Sequence, residues 1–293
     1  MKRQASAVLL ILTAAWLLPD LVRCGVSPAA AAVDDRKPDA KTGTFRGLVI
    51  FDGTPPERET LLKKDDPKVK PDDRATCAAD DQLSEDFLVN EEAGNGVANA
   101  VIYLQRAPDD YVSPPLPEEP VSLEVKACRY VPHVCIIRCG QTLLVKSDDL
   151  IPHHEHFSDL RNSGFGRAIK PRKRGEGAPY TFKNPEPRPI EVACDFHPWM
   201  KAYCLPLDHP FVAVTDKEGR FEIERLPAGK HTFTIWHERP GYLQRELRVD
   251  IEADKVTEKM LTFKSSAFVK PILPASGSSP PTNQRKKDLG HKD

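Results

Sequence analysis

The sequence lacks an excess of charge of either sign. Its 42 lysines and arginines stand against 43 aspartates and glutamates, which gives a net charge of −1. A balanced chain has no general attraction for nucleic acid, and no basic strip interleaved with aromatic side chains, of the kind that single strands require, is present. We therefore expect no nucleic-acid partner.

Several signatures of cofactor binding and catalysis are also missing from the sequence. It contains no C-x-x-C-H motif for haem attachment, no G-x-S-x-G nucleophile elbow and no phosphate-binding glycine loop. These absences argue against a c-type haem protein, an α/β-hydrolase and a nucleotide-binding enzyme.

Long hydrophobic runs are missing as well. Met1-Lys2-Arg3 is followed by an apolar stretch over residues 7–18, which is too short to span a bilayer comfortably and is typical of a secretory signal. Ala30 and Ala32 fit an A-x-A cleavage site. We predict a signal peptide over residues 1–32 and a periplasmic or secreted protein, with membrane contact only if the signal is uncleaved.

The remaining chain has the composition of a globular protein. With 293 residues, 40% hydrophobic and 29% charged, it can bury a core in one large or two small domains. Short β-branched and aromatic runs alternate with turn residues, which predicts an all-β sandwich architecture. The predicted strands cover residues 44–51, 97–104, 121–125, 134–137, 141–146, 211–215, 220–224, 231–236, 247–251 and 257–263.

Other segments show no strand periodicity. Residues 57–82 predict an extended loop with one helical turn, and residues 158–189 predict a long basic loop. That loop is either a solvated insertion or a docking patch for an acidic redox partner. The turn at residues 216–219 predicts a hairpin between the strands at 211–215 and 220–224.

One short stretch carries an unusual set of metal-binding side chains. Residues 194–200 read CDFHPWM and place a thiol, an imidazole and a thioether at intervals of three, at Cys194, His197 and Met200. A thiolate, two imidazoles and a weakly bound methionine form the ligand set of copper electron-transfer sites. We predict copper as the cofactor, held by this stretch and by one more histidine.

The second imidazole must come from another part of the chain. The strand-like run at 141–146 is followed by His153, His154 and His156. We predict that His153 is the ligand. His154 and His156 remain open as groups beside the site, as surface residues, or as an H-x-H pair for a second metal.

The metal-binding stretches resemble those of a known family. The segments 149–153 and 194–200 resemble the copper loops of amicyanin- and plastocyanin-like cupredoxins. The chain is more similar still to planctomycete-type secreted methylamine utilization proteins with cupredoxin domains, over residues 43–263. The resemblance implies a Greek-key sandwich that binds one copper. Ser147 and His154 depart from it, because such sequences usually carry asparagine there, and a neutral amide that would brace the ligand loops is therefore absent.

A second resemblance concerns the C-terminal strands. The T-D-x-x-G-x-F…L-P-x-G run, from Thr215 to Gly229, is similar to carboxypeptidase regulatory-like, transthyretin-like and carbohydrate-binding-like sandwiches. It indicates a fold and not an activity. We therefore divide the chain into a signal peptide (1–32), a flexible lead-in (33–42), first strands of a regulatory-like sandwich (43–120), a cupredoxin-like copper section (121–207), regulatory-like hairpins (208–265) and a disordered tail (266–293). Whether the copper section is inserted or appended stays open.

The number of cysteines limits how many disulfide bonds can form. Removal of the signal leaves six of them, and if Cys194 binds copper, at most two bridges can form. We expect one bridge between Cys77 and Cys128. Cys135 and Cys139 lie about 13 Å apart along a strand, too far to bridge each other.

The proline, the tryptophan and the other histidines allow less specific predictions. Pro198 and Trp199 follow His197, whose ring edge is expected to reach the surface as the exit for the electron, and Trp199 is either part of that docking surface or a core residue. His133 lies among cysteines but without metal-site spacing, and His209 and His237 are expected on the surface.

These observations predict a secreted copper protein that carries electrons and is not an enzyme. Its partner is expected to be a redox protein such as a cytochrome or a dehydrogenase. The alternative is an extracytoplasmic sandwich that binds carbohydrate or protein, with a degenerate or copper-storage site. A copper oxidase subunit is less favoured, because the sequence shows one ligand set.

Overall fold

The computed structural model describes residues 41–171 and 177–269. The predicted signal peptide, most of the lead-in, the tail beyond residue 269 and the basic residues 172–174 lie outside the described residues. The rest of the chain is nearly all β, as the short alternating runs predicted.

The regular elements of the described residues are twenty strands, one α-helix and two 3₁₀ helices. The helix is α1 (Pro71–Cys77), and the 3₁₀ helices cover Glu91–Ala93 and Ser265–Phe268. The strands are β1 (Thr42–Asp52), β2 (Thr60–Leu62), β3 (Gln82–Leu83), β4 (Val89–Asn90), β5 (Gly96–Val97), β6 (Val101–Leu104), β7 (Val121–Lys126), β8 (Arg129–Val131), β9 (Val134–Arg138), β10 (Thr142–Ser147), β11 (His153–Phe157), β12 (Gly166–Ile169), β13 (Ala178–Thr181), β14 (Ile190–Cys194), β15 (Lys201–Leu207), β16 (Val212–Val214), β17 (Arg220–Pro227), β18 (Gly229–His237), β19 (Gly241–Ile251) and β20 (Val256–Lys264).

The first and last thirds of the described chain build one sandwich together, called the outer sandwich. One sheet has the order β17-β1-β5-β4, with β20 parallel to β1, and the other has the order β16-β6-β18-β19. Phe45 of β1 meets Phe233 of β18 across the core, with ring centroids 4.8 Å apart. Each of the two sheets contains strands from before residue 105 and from after residue 211.

The middle of the chain forms a second sandwich, called the inner sandwich. Its sheets have the orders β13-β10-β7-β8 and β12-β11-β14-β15-β9. Alternate side chains such as Leu123 and Val125 of β7 and Ile190 and Val192 of β14 point into its core, which is the period-two pattern of a strand with one buried face. The inner sandwich is therefore inserted between β6 and β16 of the outer one.

The two sandwiches are joined by a small apolar cluster. All four residues of β6 are buried, because Ile102 and Leu104 face the outer core while Val101 and Tyr103 face β9 and β15 of the inner sandwich. Trp236 of β18 belongs to the same cluster. A strand that packs against apolar layers on both sides has a continuous hydrophobic sequence, because every side chain is buried. This explains the sequence of β6.

The segment 57–83, called the strap, contributes to the inner core. It contains β2, α1 and β3, and its buried residues Leu62, Val69, Cys77 and Ala78 belong to the inner cluster. The expected helical turn is present as α1. The assignment of residues 43–120 to the first sandwich does not describe this segment, because the strap buries its apolar side chains in the core of the inner sandwich.

Several local predictions differ from the structure. The expected loop at 158–189 contains β12 and β13, which are edge strands of the two inner sheets. The turn at 216–219 joins β16 to β17, but these strands lie in different sheets and do not form the predicted hairpin.

The predicted start of the disordered tail, at residue 266, is too early, since Phe268 packs against Phe51 and Phe87. His209 and His237 were expected on the surface, and each is only 1% exposed.

Candidate metal centre

Three predicted ligands converge at one end of the inner sandwich. His153 begins β11, Cys194 ends the neighbouring antiparallel strand β14, and His197 lies in the turn that leads to β15. Cys194 Sγ lies 3.5 Å from His197 Nδ1 and 3.8 Å from His153 Nδ1, and the two Nδ1 atoms are 3.1 Å apart. All three side chains are buried.

These separations fit a shared metal ion. Donor nitrogens about 2.0 Å and a sulfur about 2.3 Å from one ion lie roughly 3.3–3.7 Å from one another. The three observed distances, 3.1, 3.5 and 3.8 Å, bracket that range. One thiol and two imidazoles therefore point their donor atoms at one place, and a soft or borderline metal is the group that such donors suit.

The turn after β14 sets the spacing of the ligands. The backbone N–H of Asp195 donates to the carbonyl of His154 (2.9 Å), and the N–H of Met200 donates to the carbonyl of His197 (2.9 Å). Met200 is itself 1% exposed and belongs to the inner core. The interval from His197 to Met200 therefore corresponds to one short turn closed by a hydrogen bond.

His153 is oriented by Asp149, a residue that sequence reasoning missed. His153 Nε2 donates to Asp149 Oδ2 (3.0 Å), which leaves Nδ1 for the centre. Asp149 also accepts the backbone N–H groups of Ala127 (2.6 Å) and Cys128 (2.9 Å), both of which have left-handed backbone with φ of 48° and 55°. Burial acts to raise the pKa of Asp149, but these hydrogen bonds outweigh it and lower that pKa.

His197 is covered by the strap. Its Nε2 lies 3.4 Å from Oδ2 of Asp73, in α1, and its ring is 1% exposed. The expectation that the ring edge of His197 reaches the surface is therefore wrong in this structure, because α1 lies over it. Burial, followed by the charge of His153, lowers the pKa of His197, which favours the neutral ring that metal binding requires.

The strap is attached beside the centre by a disulfide. Cys77 at the end of α1 and Cys128 after β7 form the bond, with their Cα atoms 5.1 Å apart, and this is the pair named from the sequence. A ring nitrogen of His197 lies within 4.8 Å of both sulfurs. Among the described residues, Cys135, Cys139, Cys194 and Cys204 are free thiols.

The thiol of Cys194 lies in an apolar setting with one buried carboxyl group nearby. Burial, followed by the charge of Glu155, raises the pKa of Cys194. Glu155 is directly opposite Cys194 in the β11–β14 register, it accepts the hydroxyl of Tyr130, and burial raises its own pKa to about 8. A bound metal ion would have to displace the thiol proton, as metal ions do at coordinating thiols.

The other predicted site residues take different places. Ser147 is buried and its hydroxyl accepts the N–H of Asp149 (3.1 Å). His154 and His156 lie on the outward side of β11, and each has Nδ1 2.7 Å from a carboxylate oxygen of Asp195. Trp199, next to Pro198, is half-buried and packs on the inner core, with its ring centroid 5.2 Å from that of His197.

His133 takes no part in the centre. Its Nε2 lies 2.5 Å from Oε1 of Glu238, and this contact connects the two sandwiches. None of the helices in the described ranges is both long and apolar enough to cross a membrane.

Comparison with known proteins finds similarity only among solved structures. No family model and no curated protein matches the chain. A Cu-containing nitrite reductase from Thermus scotoductus is 22% identical with a TM-score of 0.27, covering 34% of this chain and 25% of that one. Amicyanin from Paracoccus versutus is 18% identical with a TM-score of 0.27, covering 36% of this chain and 97% of that one. A purple cupredoxin from Nitrosopumilus maritimus is 18% identical with a TM-score of 0.25, covering 30% of this chain and 99% of that one.

These comparisons leave most of the chain without a match. The chain spans about a quarter of the length of the nitrite reductase, and each similarity concerns about a third of this chain. At these TM-scores the function of the centre has to be argued from its own donor atoms.

Proposed function

We propose that this protein is a secreted mononuclear copper protein that carries electrons. The observation that carries the proposal is the convergence of His153 Nδ1, Cys194 Sγ and His197 Nδ1 within 3.1–3.8 Å of one another in a buried position. Met200 is the weak axial ligand in this proposal. Bound copper would supply one-electron chemistry, because Cu(I) and Cu(II) both accept this ligand set.

The donor set favours copper over zinc. Structural zinc sites use four cysteine or histidine ligands, and catalytic ones combine three protein ligands with a water. The fourth side chain in this proposal is the thioether of Met200, which suits copper better than zinc. The donors also sit at strand ends and in a short hydrogen-bonded turn, so they are held in place and little has to move when one electron arrives or leaves.

The residues around the ligands support a carrier and not an enzyme. The three donors are buried and Asp73 and the strap cover His197, so the residues that the structure describes leave no open path from the surface to the donors. Phe196, between two of the ligands in sequence, is 45% exposed and gives a partner an apolar contact close to the centre. We propose a secreted redox protein, a cytochrome or a dehydrogenase, as that partner.

Titration with copper tests the proposal directly. The purified mature protein should bind one Cu(II) and develop an intense thiolate-to-copper band in the visible spectrum, and Cys194→Ser should abolish that band. Cys139→Ser is the matched control, because Cys139 is a free thiol outside the ligand set. A wild-type protein that binds Cu(II) without the band, or a band that survives in Cys194→Ser, contradicts the proposal.

A further inference from the structure

Each imidazole of the candidate centre has a carboxylate on its far side. His153 Nε2 lies 3.0 Å from Asp149 Oδ2, and His197 Nε2 lies 3.4 Å from Asp73 Oδ2. In both rings Nδ1 therefore faces the shared point and Nε2 faces an acid. The two acids come from distant parts of the chain, since Asp73 precedes His197 by 124 residues and Asp149 precedes His153 by four.

The two carboxylates are held by different means. Asp149 is 5% exposed and is fixed by two consecutive backbone N–H groups, those of Ala127 and Cys128. Asp73 is half-buried on α1, and one helical turn later Cys77 attaches that helix to Cys128 by the disulfide. Residues four apart lie on the same face of a helix, so the bond that anchors Cys77 also directs Asp73 at His197. Cys128 connects the two arrangements, because its N–H binds Asp149 and its sulfur binds Cys77.

We propose that Asp73 and Asp149 are positioning residues that fix the Nδ1 atoms of His197 and His153 toward the metal and make the centre favour a divalent over a monovalent ion. The proposal rests on the proposed function for the identity of the metal. A carboxylate that accepts the Nε2 proton selects one tautomer and raises the basicity of Nδ1, as outer partners of metal-bound histidines do. Two negative charges one ring away from the donors also stabilise a 2+ ion more than a 1+ ion.

The consequence is specific to oxidation state. Removal of one carboxylate charge should weaken Cu(II) binding about 10- to 100-fold, the usual effect of losing an outer partner of a metal ligand. Cu(I) binding should weaken less, because the ion carries half the charge. The ratio of Cu(II) to Cu(I) affinity should therefore fall in Asp73→Asn and in Asp149→Asn, and the reduction potential should rise.

The controls for these variants lie on the same segments. Asp72→Asn removes the same charge from an exposed position of α1, and Asp148→Asn does so beside Asp149. Asp148 Oδ2 lies 3.7 Å from the ammonium of Lys126, and Asp73 is the carboxylate of α1 that lies against His197. Cu(II) and Cu(I) affinities of the full mature protein should be measured by competition with chelators, with the same affinity measurement for Zn(II).

A second readout is independent of copper chemistry. Nitrogen-15 NMR of the metal-free protein should show both His153 and His197 with the proton on Nε2. Asp73 is half-buried, so the Asp73→Asn variant should fold. Of the two histidine signals, it should alter only that of His197. An unchanged affinity ratio in Asp73→Asn, or a proton on Nδ1 of either ring, overturns the proposal. If wild-type protein binds Zn(II) with the expected tautomers but gives no thiolate-to-copper band, the proposed function fails while the positioning role stands.

Discussion

At the scale of single residues, the buried histidines differ in what their second nitrogen contacts. His153 gives Nε2 to Asp149, whereas Nδ1 of His237 accepts the backbone N–H of Arg239 (3.2 Å). The ring of His237 packs edge-on against Phe87 and Phe268. Burial, followed by the charge of His133, lowers the pKa of His237 to about 3. His237 is therefore a neutral core residue in the folded protein, and its protonation is linked to unfolding.

The pKa of His237 predicts a loss of stability in acid. The folded-state pKa of about 3 lies below the ordinary histidine pKa of 6.5, so between these pH values the unfolded chain binds a proton that the folded chain does not. The stability that the neutral ring of His237 contributes is fully present above pH 6.5. It decreases by about 1.4 kcal/mol per pH unit as the pH decreases toward 3. Denaturant unfolding of metal-free protein at pH 4, 5, 6 and 7 measures it.

The matched variants for this prediction are His237→Asn and His231→Asn. Asparagine can accept the N–H of Arg239 but cannot take up a proton, so His237→Asn should show a shallower loss of stability in acid than the wild type. His231, on the same strand, is only half-buried, and His231→Asn should keep the wild-type slope. Equal slopes in all three proteins contradict the prediction.

The residues of the centre show what a sequence motif can and cannot reveal. Cys194 and His197 follow from their interval, because one turn places their donor atoms together, and His153 at a strand end reaches that turn. Met200 stays a predicted axial ligand. Asp149 and Asp73 carry no such signal. Their part depends on left-handed backbone at Ala127 and Cys128 and on a disulfide-anchored helix, which arise only from the folded chain.

At the scale of elements, the strap is the feature that sequence reading described least well. Its charged, proline-containing sequence shows no periodicity, because only a few of its residues are buried, among them Leu62, Val69, Cys77 and Ala78. The turn residues likewise predicted only part of the structure. It located the turn at 216–219 correctly, but a turn signal does not determine whether the next strand stays in the same sheet, and here the chain crosses to the other one.

We predict that removal of the disulfide that anchors the strap lowers the free energy of unfolding and loosens α1 beside the centre. The bond closes a separation of 51 residues, and the chain-entropy model gives it about 4 kcal/mol. The double variant Cys77→Ser, Cys128→Ser should lose that amount in denaturant unfolding. It should also show faster amide exchange over Pro71–Cys77, because α1 then loses its covalent attachment to the inner sandwich.

The control for this prediction is Cys139→Ser. It removes a thiol without breaking a bond, and it should leave both stability and exchange over α1 close to the wild type. Slow exchange over α1 in the double variant would mean that packing of Val69 and Ala78 holds the strap, and that the disulfide does not.

At the scale of the whole molecule, the chain contains one sandwich inserted in another. The sequence predicts sandwich strands on both sides of the section over residues 121–207 but does not decide between insertion and addition, because strand pairing between distant segments leaves no local pattern. The structure decides it through sheet order, since β1 pairs with β17 and β20, and β6 pairs with β16 and β18. The outer core therefore draws on residues 45–104 and 211–268.

This arrangement predicts that the outer sandwich folds without the insertion. The ends of the gap are close, because the N–H of Leu104 donates to the carbonyl of Phe211 (3.1 Å), so four glycine and serine residues can replace residues 106–209. The shortened chain should unfold cooperatively, with Trp236 fluorescence as the probe. It should be less stable than the full chain by several kcal/mol, because Val101, Tyr103 and Trp236 lose the cover of β9 and β15 and each large side chain contributes about 1.5–3 kcal/mol on burial.

Two further changes make the test of the outer sandwich sharper. Phe233→Ala in the shortened chain removes a central core ring and should abolish cooperative unfolding, whereas Met260→Ala, at a position that is 68% exposed, should not. A shortened chain that unfolds without cooperativity even before these substitutions would mean that the inner sandwich is required for the outer core to form. In that case the cluster of Val101, Tyr103 and Trp236 with β9 and β15 would be part of a single folding unit and not a contact between two.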